Sequence, residues 1–298
     1  MASANPNLPE NLDIHPLVPA IDAEGAEQFD YDQQQRDISQ FGIAGRVWGV
    51  EAAYLLIQYL VPIAEVTYEP LFAPSADGIR VVELGSGSGI VANTMSTRLR
   101  PDRDIMYSTD LPEVKTLFRV SAARAQPQTA SPSARRAYPC ETAIMGNAEH
   151  ASQLLKQLAP SNITHVLCSD LVYFPELLGP LLRSLIHLTS GTRELGPQVI
   201  ISYKIRSLAK ETTFWSAFGL WFTFEPVLYR TQSGSEWSRL GNTMQDPTFV
   251  FVARRRDESM SWLLPENDHD LLHGLFPGNR SPKSDDTFET LLLMSLDD

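Results

Sequence analysis

Residues 79–89 read Ile-Arg-Val-Val-Glu-Leu-Gly-Ser-Gly-Ser-Gly, and they carry the strongest structural signal in the chain. The first half of this stretch is rich in β-branched residues, which favour a short buried strand. The alternating glycines favour a tight turn, and the apolar residues that follow favour a helix. A strand, a glycine-rich turn and a helix in this order are typical of one unit of a parallel sheet.

The same alternation of strands and helices continues on both sides of this stretch. Apolar residues at helical spacing predict a helix over 50–63, which Pro62 ends or kinks. Further strands are predicted over 105–109, 141–145, 165–169, 198–203, 223–229 and 249–253, and further helices over 88–99, 113–125, 148–158, 177–188 and 207–218. The last two strands are expected to form an antiparallel pair. We therefore predict an α/β fold, namely a doubly wound, seven-stranded, mostly parallel Rossmann-like sheet with helices on both faces.

Charge is distributed unevenly along the 298 residues, whose net charge is −12. Residues 1–45 carry eight acids against one base, and residues 257–298 carry ten acids against two bases. We predict an irregular acidic leader over 1–45, a folded domain over 46–256 and an acidic extension over 257–298 whose apolar residues dock on the domain as short helices. The acidic ends are interpreted as solvated tails, with recruitment of a basic protein partner as the alternative. The charge balance argues against binding of nucleic acid.

Composition excludes several other classes of protein. The two cysteines, Cys140 and Cys168, are too few for a disulfide framework or a four-ligand zinc site. We expect a protein of the cytoplasm, with the nucleus as a second location. No stretch reaches ~18 consecutive apolar residues and no signal peptide is evident, so no membrane association is predicted. His269 and His273 alone have the spacing of metal ligands, which we attribute to chance, so no metal is predicted.

The ends of the predicted strands suggest where a ligand binds, because ligands of doubly wound sheets lie at the carboxyl ends of the strands. Gly85 and Gly87 let a ligand approach the backbone on either side of Ser86. Asp110 ends the next strand, where an acid can bond both hydroxyls of a ribose. The turn lacks the third small residue of a nicotinamide-binding fingerprint, since Ile90 fills that position. The turn and the acid together favour a ligand that contains adenosine.

Glu83 narrows the choice of ligand. A carboxylate directly before the glycine turn disfavours a phosphate and suits a ligand that carries an ammonium group. S-adenosyl-L-methionine has an adenosine, an ammonium, a carboxylate and a sulfonium, and it has no phosphate. We therefore predict S-adenosyl-L-methionine as the cofactor. The chain shows no G-x-S-x-G elbow and no phosphate-binding P-loop, which disfavours a hydrolase or a nucleotide triphosphatase.

Three motifs together resemble the eukaryotic seven-β-strand protein-lysine N-methyltransferases, the group that modifies chaperones and translation elongation factors. These motifs are Val82–Gly89, Thr109–Leu111 and Asp170–Tyr173, and a Val47-Trp48 pair ahead of the first helix also matches the group. The resemblance covers about residues 45–255. It implies cofactor contacts from Trp48, Glu83, Gly85, Ser86, Gly87, Asp110, Met145 and Ser169. The chain has Met145-Gly146 where the group usually has Trp-Gly, and a thioether can still cover an adenine face.

The resemblance also implies an activity, namely transfer of a methyl group to the ε-amine of a lysine in a protein substrate. Asp170 and Tyr173 would be the catalytic pair, with the acid holding the amine and the ring lining the channel. The implied substrates are of the chaperone or translation-factor class, and the enzyme is expected to be a monomer. Tyr203, Lys204 and Arg206 follow the fifth strand and are expected to shape the substrate mouth.

Other interpretations stay open at the level of the sequence. The chain could methylate a small nicotinamide-like amine, a protein histidine or an N-terminal amine, or it could be a binding protein without activity. Asp170 could simply cap the helix that follows it. The run Arg254–Arg256 is interpreted as a solvated charge cluster, and Cys168 as a small core residue. A stretch of aromatic residues is assigned to the core, namely Trp215, Phe218, Trp221, Phe222 and Phe224.

Overall fold

A computed structural model describes most of the chain from residue 50 onward. The described residues are 50–72, 78–100, 103–111, 114, 118, 140–142, 145–158, 163–190, 196–234, 236–243, 246–278 and 281–294. The predicted leader, Trp48 and most of the helix predicted over 113–125 lie outside them. The division into leader, domain and extension therefore stays a prediction.

The described elements alternate as the sequence predicts. The helices are α1 Val50–Leu60, α2 Ile90–Ser96, α3 Ala148–Leu158, α4 Pro175–Leu188, α5 Leu208–Trp221, α6 Asp268–Leu272 and α7 Thr287–Met294, and a short 3-10 helix covers Glu258–Ser261. The strands are β1 Val66–Glu69, β2 Arg80–Leu84, β3 Ile105–Asp110, β4 Cys140–Thr142, β5 His165–Ser169, β6 Gln198–Lys204, β7 Phe222–Pro226, β8 Leu228–Thr231, β9 Ser238–Arg239, β10 Asn242–Thr243 and β11 Asp246–Arg255. Within the described ranges, no helix is both long and apolar enough to cross a bilayer.

The central sheet has the order β10–β11–β6–β5–β2–β3–β4, and β7 also pairs with β11. Strands β2 to β6 run parallel to one another, whereas β11 runs antiparallel to both β6 and β7. The predicted seven-stranded, mostly parallel sheet is thus confirmed, and the two-residue β10 adds an eighth strand. The parallel order brings the carboxyl ends of β2, β3, β5 and β6 to one edge.

Helices cover both faces of the sheet. Neighbouring residues of a strand point to opposite faces, so the apolar residues of a buried strand pack against helices on both sides. Val81 of β2 belongs to the core that contains α1 and α2, whereas Val82 belongs to the core that contains α3, α4 and α5. Cys168 of β5 is fully buried in the second core, as predicted. The predicted aromatic core residues of α5 and β7 are also all buried.

The single strand predicted over 223–229 is wrong, because the chain changes sheets at Pro226. β7 pairs with β11, but β8 pairs with β1 and β9 in a separate three-stranded sheet. A proline cannot donate a hydrogen bond to a strand ladder, which makes it a natural point of departure. The helix predicted to end at Phe218 continues to Trp221, whose side chain is fully buried.

The residues after β11 are tied to α4 and α5. Arg183 of α4 donates to Asp268 at 2.8 Å and to the carbonyl of Pro265 at 2.8 Å. Phe288 of α7 is fully buried and stacks on Trp215 of α5, with ring centres 4.9 Å apart. The predicted docking of short helices from this segment is confirmed.

The interpretation of Arg254–Arg256 as a solvated cluster is wrong for two of its members. Arg255 donates to the hydroxyl and the carbonyl of Ser259, and its guanidinium lies 4.7 Å from the ring centre of Trp221. Arg256 donates to the carbonyl of Gly219 at 2.7 Å and to Asp285 at 3.2 Å. Both arginines therefore fasten the C-terminal segment to the core.

Candidate functional site

The glycine turn between β2 and α2 has backbone φ angles that residues with a side chain rarely adopt. Gly85, Gly87 and Gly89 have φ angles of +61°, +53° and +78°. At Gly85 a Cβ atom would also lie 2.6 Å from a side-chain carbon of Leu171. The left-handed conformation favours glycine at all three positions, and at Gly85 the place of a Cβ atom is taken by Leu171.

Asp110 lies directly against this turn, as the sequence predicts. Its carboxylate accepts hydrogen bonds from the backbone N–H of Gly87 at 2.6 Å and of Leu111 at 2.7 Å. The N–H of Ser86 donates to the carbonyl of Thr109 at 3.0 Å, which joins the turn to the end of β3. The structure therefore fixes the acid and the turn relative to each other. The contact of Asp110 with a ribose stays a prediction.

Glu83 lies beneath the turn, inside the sheet. Its side chain is 1% exposed and accepts a hydrogen bond from the Ser108 hydroxyl at 2.8 Å. Burial raises the pKa of Glu83 to about 8, the Ser108 hydrogen bond opposes this shift, and the charge of Asp110 adds to it. Glu83 is therefore largely protonated at neutral pH, and its predicted contact with an ammonium group is untested.

Three buried serine hydroxyls at the carboxyl ends of the strands lack a partner in the described part of the protein. They belong to Ser86, Ser169 and Ser202. Ser169 and Ser202 are opposite each other on β5 and β6. Buried polar groups are nearly always hydrogen-bonded in native proteins. These hydroxyls are therefore suited to a polar ligand that fills the edge of the sheet.

Asp170 follows β5 in a conformation that is unusual for its residue type. It is the only non-glycine residue in the described ranges with a positive φ, which is +56°. Its backbone N–H donates to the carbonyl of Ser202 at 2.8 Å, and its side chain is fully buried. The alternative role as a helix cap is wrong, because α4 has Phe174 at its N-cap and no side chain bonds there.

The carboxylate of Asp170 binds Arg206. Both of its oxygens accept from the guanidinium, whose side chain is 24% exposed. Burial opposes the charge of Arg206, but the hydrogen bonds and charge of Asp170 outweigh this and raise the pKa of the guanidinium. The central carbon of the guanidinium lies 5.7 Å from the ring centre of Tyr173, a distance at which an aromatic face attracts a cation. Burial raises the pKa of Tyr173, so its hydroxyl stays protonated.

Further residues position the segment Tyr203–Arg206, which carries the arginine of the ion pair. Glu211 of α5 is fully buried and accepts from the Tyr203 hydroxyl at 2.6 Å and from the backbone N–H of Arg206 at 3.2 Å. Lys204 lies 3.5 Å from Glu51 of α1. Tyr203 is fully buried in the core, so the expectation that it shapes a substrate mouth is wrong. Lys204 is 8% exposed, and for Lys204 and Arg206 the expectation stays a prediction. Sequence reasoning did not find Glu51 or Glu211, because neither lies near a strand end or in a motif.

Sequence comparison identifies the family. The profile of the lysine methyltransferase family matches residues 30–219. The chain belongs to this family. The predicted family is thereby confirmed. No curated protein sequence matches the chain.

Several solved structures are similar to this chain at low sequence identity. TrmN from Thermus thermophilus is 18% identical with a TM-score of 0.41, over 74% of this chain and 53% of that one. The CurJ carbon methyltransferase is 15% identical with a TM-score of 0.40, over 61% of this chain and 50% of that one. TomG from Streptomyces achromogenes, an O-methyltransferase solved in complex with SAM, is 12% identical with a TM-score of 0.41, over 75% of this chain and 88% of that one. The methyltransferase thus spans about half the length of TrmN and of CurJ.

The residues of the site fit S-adenosyl-L-methionine. The unpartnered hydroxyls of Ser86 and Ser169 lie buried in the glycine turn and at the end of β5. The carboxylate and ammonium of the cofactor's methionine part offer acceptors and donors to such hydroxyls. Trp48 lies outside the described residues, so its predicted contact stays a prediction. In the described part of the methyltransferase, no group of three or more metal-binding side chains is arranged to hold a metal ion.

Met145 lies in the loop before α3, where the adenine is predicted to bind. Asn147 caps α3, since its side-chain oxygen accepts from the N–H of Glu149 at 2.9 Å and of His150 at 3.1 Å. Gly146, with a φ of +82°, donates its N–H to the Ser184 hydroxyl at 2.7 Å. A small, partly open cleft is lined by Leu84, Met145, Asn147, His150, Ala151, Leu154, Ser184 and Leu188. Met145 is half-buried and also packs on the core, and its contact with adenine stays a prediction.

Proposed function

We propose that the methyltransferase transfers a methyl group from S-adenosyl-L-methionine to the ε-amine of a lysine in a protein substrate. The family match supports lysine as the acceptor. One observation carries the proposal: after β5, the guanidinium of Arg206 is held by the carboxylate of Asp170 and the ring of Tyr173. A carboxylate and an aromatic ring that stabilise the guanidinium of an arginine also suit the ε-amine of a lysine.

The ion pair of Asp170 and Arg206 favours the neutral form of the substrate amine. A lysine with an ordinary pKa of ~10.4 arrives protonated, and only the neutral amine can attack a sulfonium methyl. A lone buried carboxylate would hold the amine in its protonated form. Because Arg206 balances the charge of Asp170, the amine meets a neutral pair, and the nearby guanidinium lowers the amine pKa. The amine then releases its proton to water before it attacks the methyl group.

Asp170 can orient the neutral amine while it stays paired. A carboxylate has about four acceptor positions, and the guanidinium of Arg206 uses two of them. An amine N–H donated to a remaining position would fix the direction of the nitrogen lone pair. The half-buried ring of Tyr173 forms a wall beside this position and excludes water. We propose Asp170 and Tyr173 as the catalytic residues on this basis.

When bound, S-adenosyl-L-methionine supplies the electrophilic methyl group on its sulfonium, so the protein mainly orients and desolvates the amine. No covalent enzyme intermediate is needed. The residues proposed to hold the cofactor are Trp48, Glu83, Gly85, Ser86, Gly87, Asp110, Met145 and Ser169. A protein substrate of the chaperone or translation-factor class, a monomeric enzyme and a cytoplasmic and nuclear location complete the proposal.

Labelled methyl transfer into a cell lysate tests this function. The purified methyltransferase and labelled S-adenosyl-L-methionine are added, and the labelled material is separated and analysed by mass spectrometry. We expect label in a protein band, on the ε-nitrogen of a lysine. Label confined to small molecules, to histidine or to N-terminal amines would overturn the proposal.

Two variants show whether the label depends on the site. Asp170→Asn is expected to abolish most of the label. Asp268→Asn is the matched control, because Asp268 also pairs with an arginine, at 2.8 Å, but belongs to α6 and not to the edge of the sheet. Equal labelling by both variants would contradict a role for Asp170.

A further inference from the structure

A lysine ammonium lies on two aromatic rings in the C-terminal segment. The Nζ atom of Lys283 is 5.3 Å from the ring centre of Trp262 and 5.6 Å from that of Phe276. Both distances fall within the ~6 Å over which an aromatic face attracts a cation. The two rings have centres 5.0 Å apart and planes inclined at 73°, so they form two walls around one cation.

Trp262 and Phe276, the two walls, pack against the core, whereas the side chain of Lys283 is exposed. Trp221 is fully buried and packs behind both walls, with ring centres 5.3 Å from Trp262 and 5.5 Å from Phe276. Trp262 and Phe276 are themselves half-buried against the core. Lys283 is exposed, and no described residue forms an ion pair with its ammonium. A ligand from solution can therefore replace the ammonium without disturbing the walls.

We propose that Trp262 and Phe276 form a binding site for the methylated side chain of a lysine, and that Lys283 covers this site in the absence of the ligand. Lys283 shows that a lysine stem reaches the rings. Its backbone N–H donates to the carbonyl of Gly274 at 3.1 Å, which fixes the main chain while the side chain remains free to move aside.

The chemistry of the walls favours a methylated ammonium over a primary one. A primary ammonium has three N–H donors and is strongly hydrated, and aromatic faces do not replace those hydrogen bonds. A trimethylated ammonium keeps the charge, donates no hydrogen bond and is the kind of ligand that aromatic cages recognise. Residues 257–298 carry ten acids against two bases, a charge balance that favours cationic over anionic ligands for this segment. The proposal does not rest on the proposed function, since binding to these rings needs no methyl transfer.

Titration of the full chain with model side chains tests the site. The ligands are Nα-acetyl-trimethyllysine amide, its unmethylated counterpart, its uncharged tert-butyl isostere and choline, and calorimetry gives each affinity. We expect the trimethylated ligand to bind at least about fivefold more tightly than the unmethylated and the uncharged ligands. Lys283→Ala should bind it more tightly than the wild type, because the competing ammonium is gone. Equal affinities for methylated and unmethylated ligands would overturn the site, and equal affinity for choline would overturn its assignment to lysine.

Variants of the walls test whether the rings cause this preference. Phe276→Leu and Trp262→Leu remove a ring face but keep an apolar side chain, and each should abolish the preference for the trimethylated ligand. Trp237→Leu is the matched control, because Trp237 also lies under a cation, with Arg230 at 4.7 Å, but offers a single ring beside the three-stranded sheet. Thermal unfolding is measured for each variant, and if Trp262→Leu does not fold, Phe276→Leu decides. An unchanged preference in Phe276→Leu would overturn the proposal, and the ligand comparison in the unaltered chain stands independently of all variants.

Discussion

Arg206 and Lys283 both lie close to aromatic rings in this methyltransferase, but the two cations are held in opposite ways. Arg206 lies beside Tyr173 and binds both oxygens of a fully buried carboxylate. Lys283 lies over two rings but is exposed, and its ammonium has no ion pair among the described residues. A buried charge needs a permanent partner, whereas a cation at the surface can be exchanged for another. The first arrangement therefore suits a fixed catalytic site, and the second suits reversible binding.

Removal of the buried cation should have the largest effect on stability. Arg206→Ala leaves the Asp170 carboxylate buried and unpaired, and we expect the free energy of unfolding in urea to fall by roughly 3–5 kcal/mol. The double variant Asp170→Asn/Arg206→Ala should regain a large part of this loss. Arg183→Ala is the comparison, because its partner Asp268 is 41% exposed and the loss should be smaller. A loss below about 1 kcal/mol in Arg206→Ala would show that the pair is not the buried contact described above.

The catalytic role of the buried pair is tested by Asp170→Asn. We expect the single-turnover rate of methyl transfer to fall on the order of 100-fold, because the negative charge and one of the two acceptor oxygens of the carboxylate are lost. Affinity for the cofactor should change only a few-fold, since Ser169 and the glycine turn remain. Tyr173→Phe should lose less activity than Tyr173→Ala if the ring face matters more than the hydroxyl. A nearly unchanged rate in Asp170→Asn refutes the proposed role.

Asp110 is a third case, a carboxylate that accepts hydrogen bonds from two backbone N–H groups. Asp110→Ala should weaken the binding of S-adenosyl-L-methionine by ~1.5–3 kcal/mol, as measured by calorimetry, because hydrogen bonds to a charged group are lost. Glu225→Ala, an exposed acid of β7, is the control and should leave the affinity unchanged. NAD should not bind to either protein. Unchanged affinity in Asp110→Ala would contradict the assignment of the cofactor site.

Glu83 is a buried carboxyl like Asp170, but its described partner is the hydroxyl of Ser108 and not a cation. Burial raises its pKa from 4.5 to about 8 in the folded protein, so the folded state binds this proton more tightly than the unfolded state. The resulting stabilisation is complete below about pH 4.5 and is lost as the pH rises toward about 8. The free energy of unfolding should therefore fall more steeply between about pH 5 and about pH 8.5 in the wild type than in Glu83→Gln. Equal slopes in urea titrations of the two proteins, with Glu225→Gln as a control, would contradict the raised pKa.

The exposed cation should have the smallest effect on stability. Lys283→Ala should change the free energy of unfolding by less than about 1 kcal/mol, because a cation over a ring at the surface contributes little. The same urea titration measures it. A loss of more than about 2 kcal/mol would show that Lys283 fastens the C-terminal segment and is not a replaceable cover.

The sequence predicts the parallel sheet well because the signals for its strands are local. β5 and α3 have the predicted bounds, since each is a short apolar or amphipathic run between turn residues. Glycine and an acid at two strand ends also predict that the turn and Asp110 meet, because parallel strands end at one edge. Such predictions need only the order of the strands.

The parts that the sequence does not predict depend on pairing between distant residues. Asp170 and Arg206 are 36 residues apart, and nothing in either segment indicates which basic residue pairs with the acid. The three-stranded sheet joins β1 to β8, two short strands separated by most of the domain. Arg255 and Arg256 look like surface charges in sequence, but they bond carbonyl and carboxylate groups that only the folded C-terminal segment brings near.

The position of β11 has a practical consequence for anyone who shortens this protein. β11 lies between β6 and β7, yet it falls after residue 219, where the family match ends. A fragment cut at that residue would turn β6, a long apolar strand buried over nearly its whole length, into an open sheet edge. Edges of this kind pair with other chains and promote aggregation. The boundary for a soluble fragment is therefore set by closure of the sheet and by the helices after β11, and not by the extent of sequence similarity.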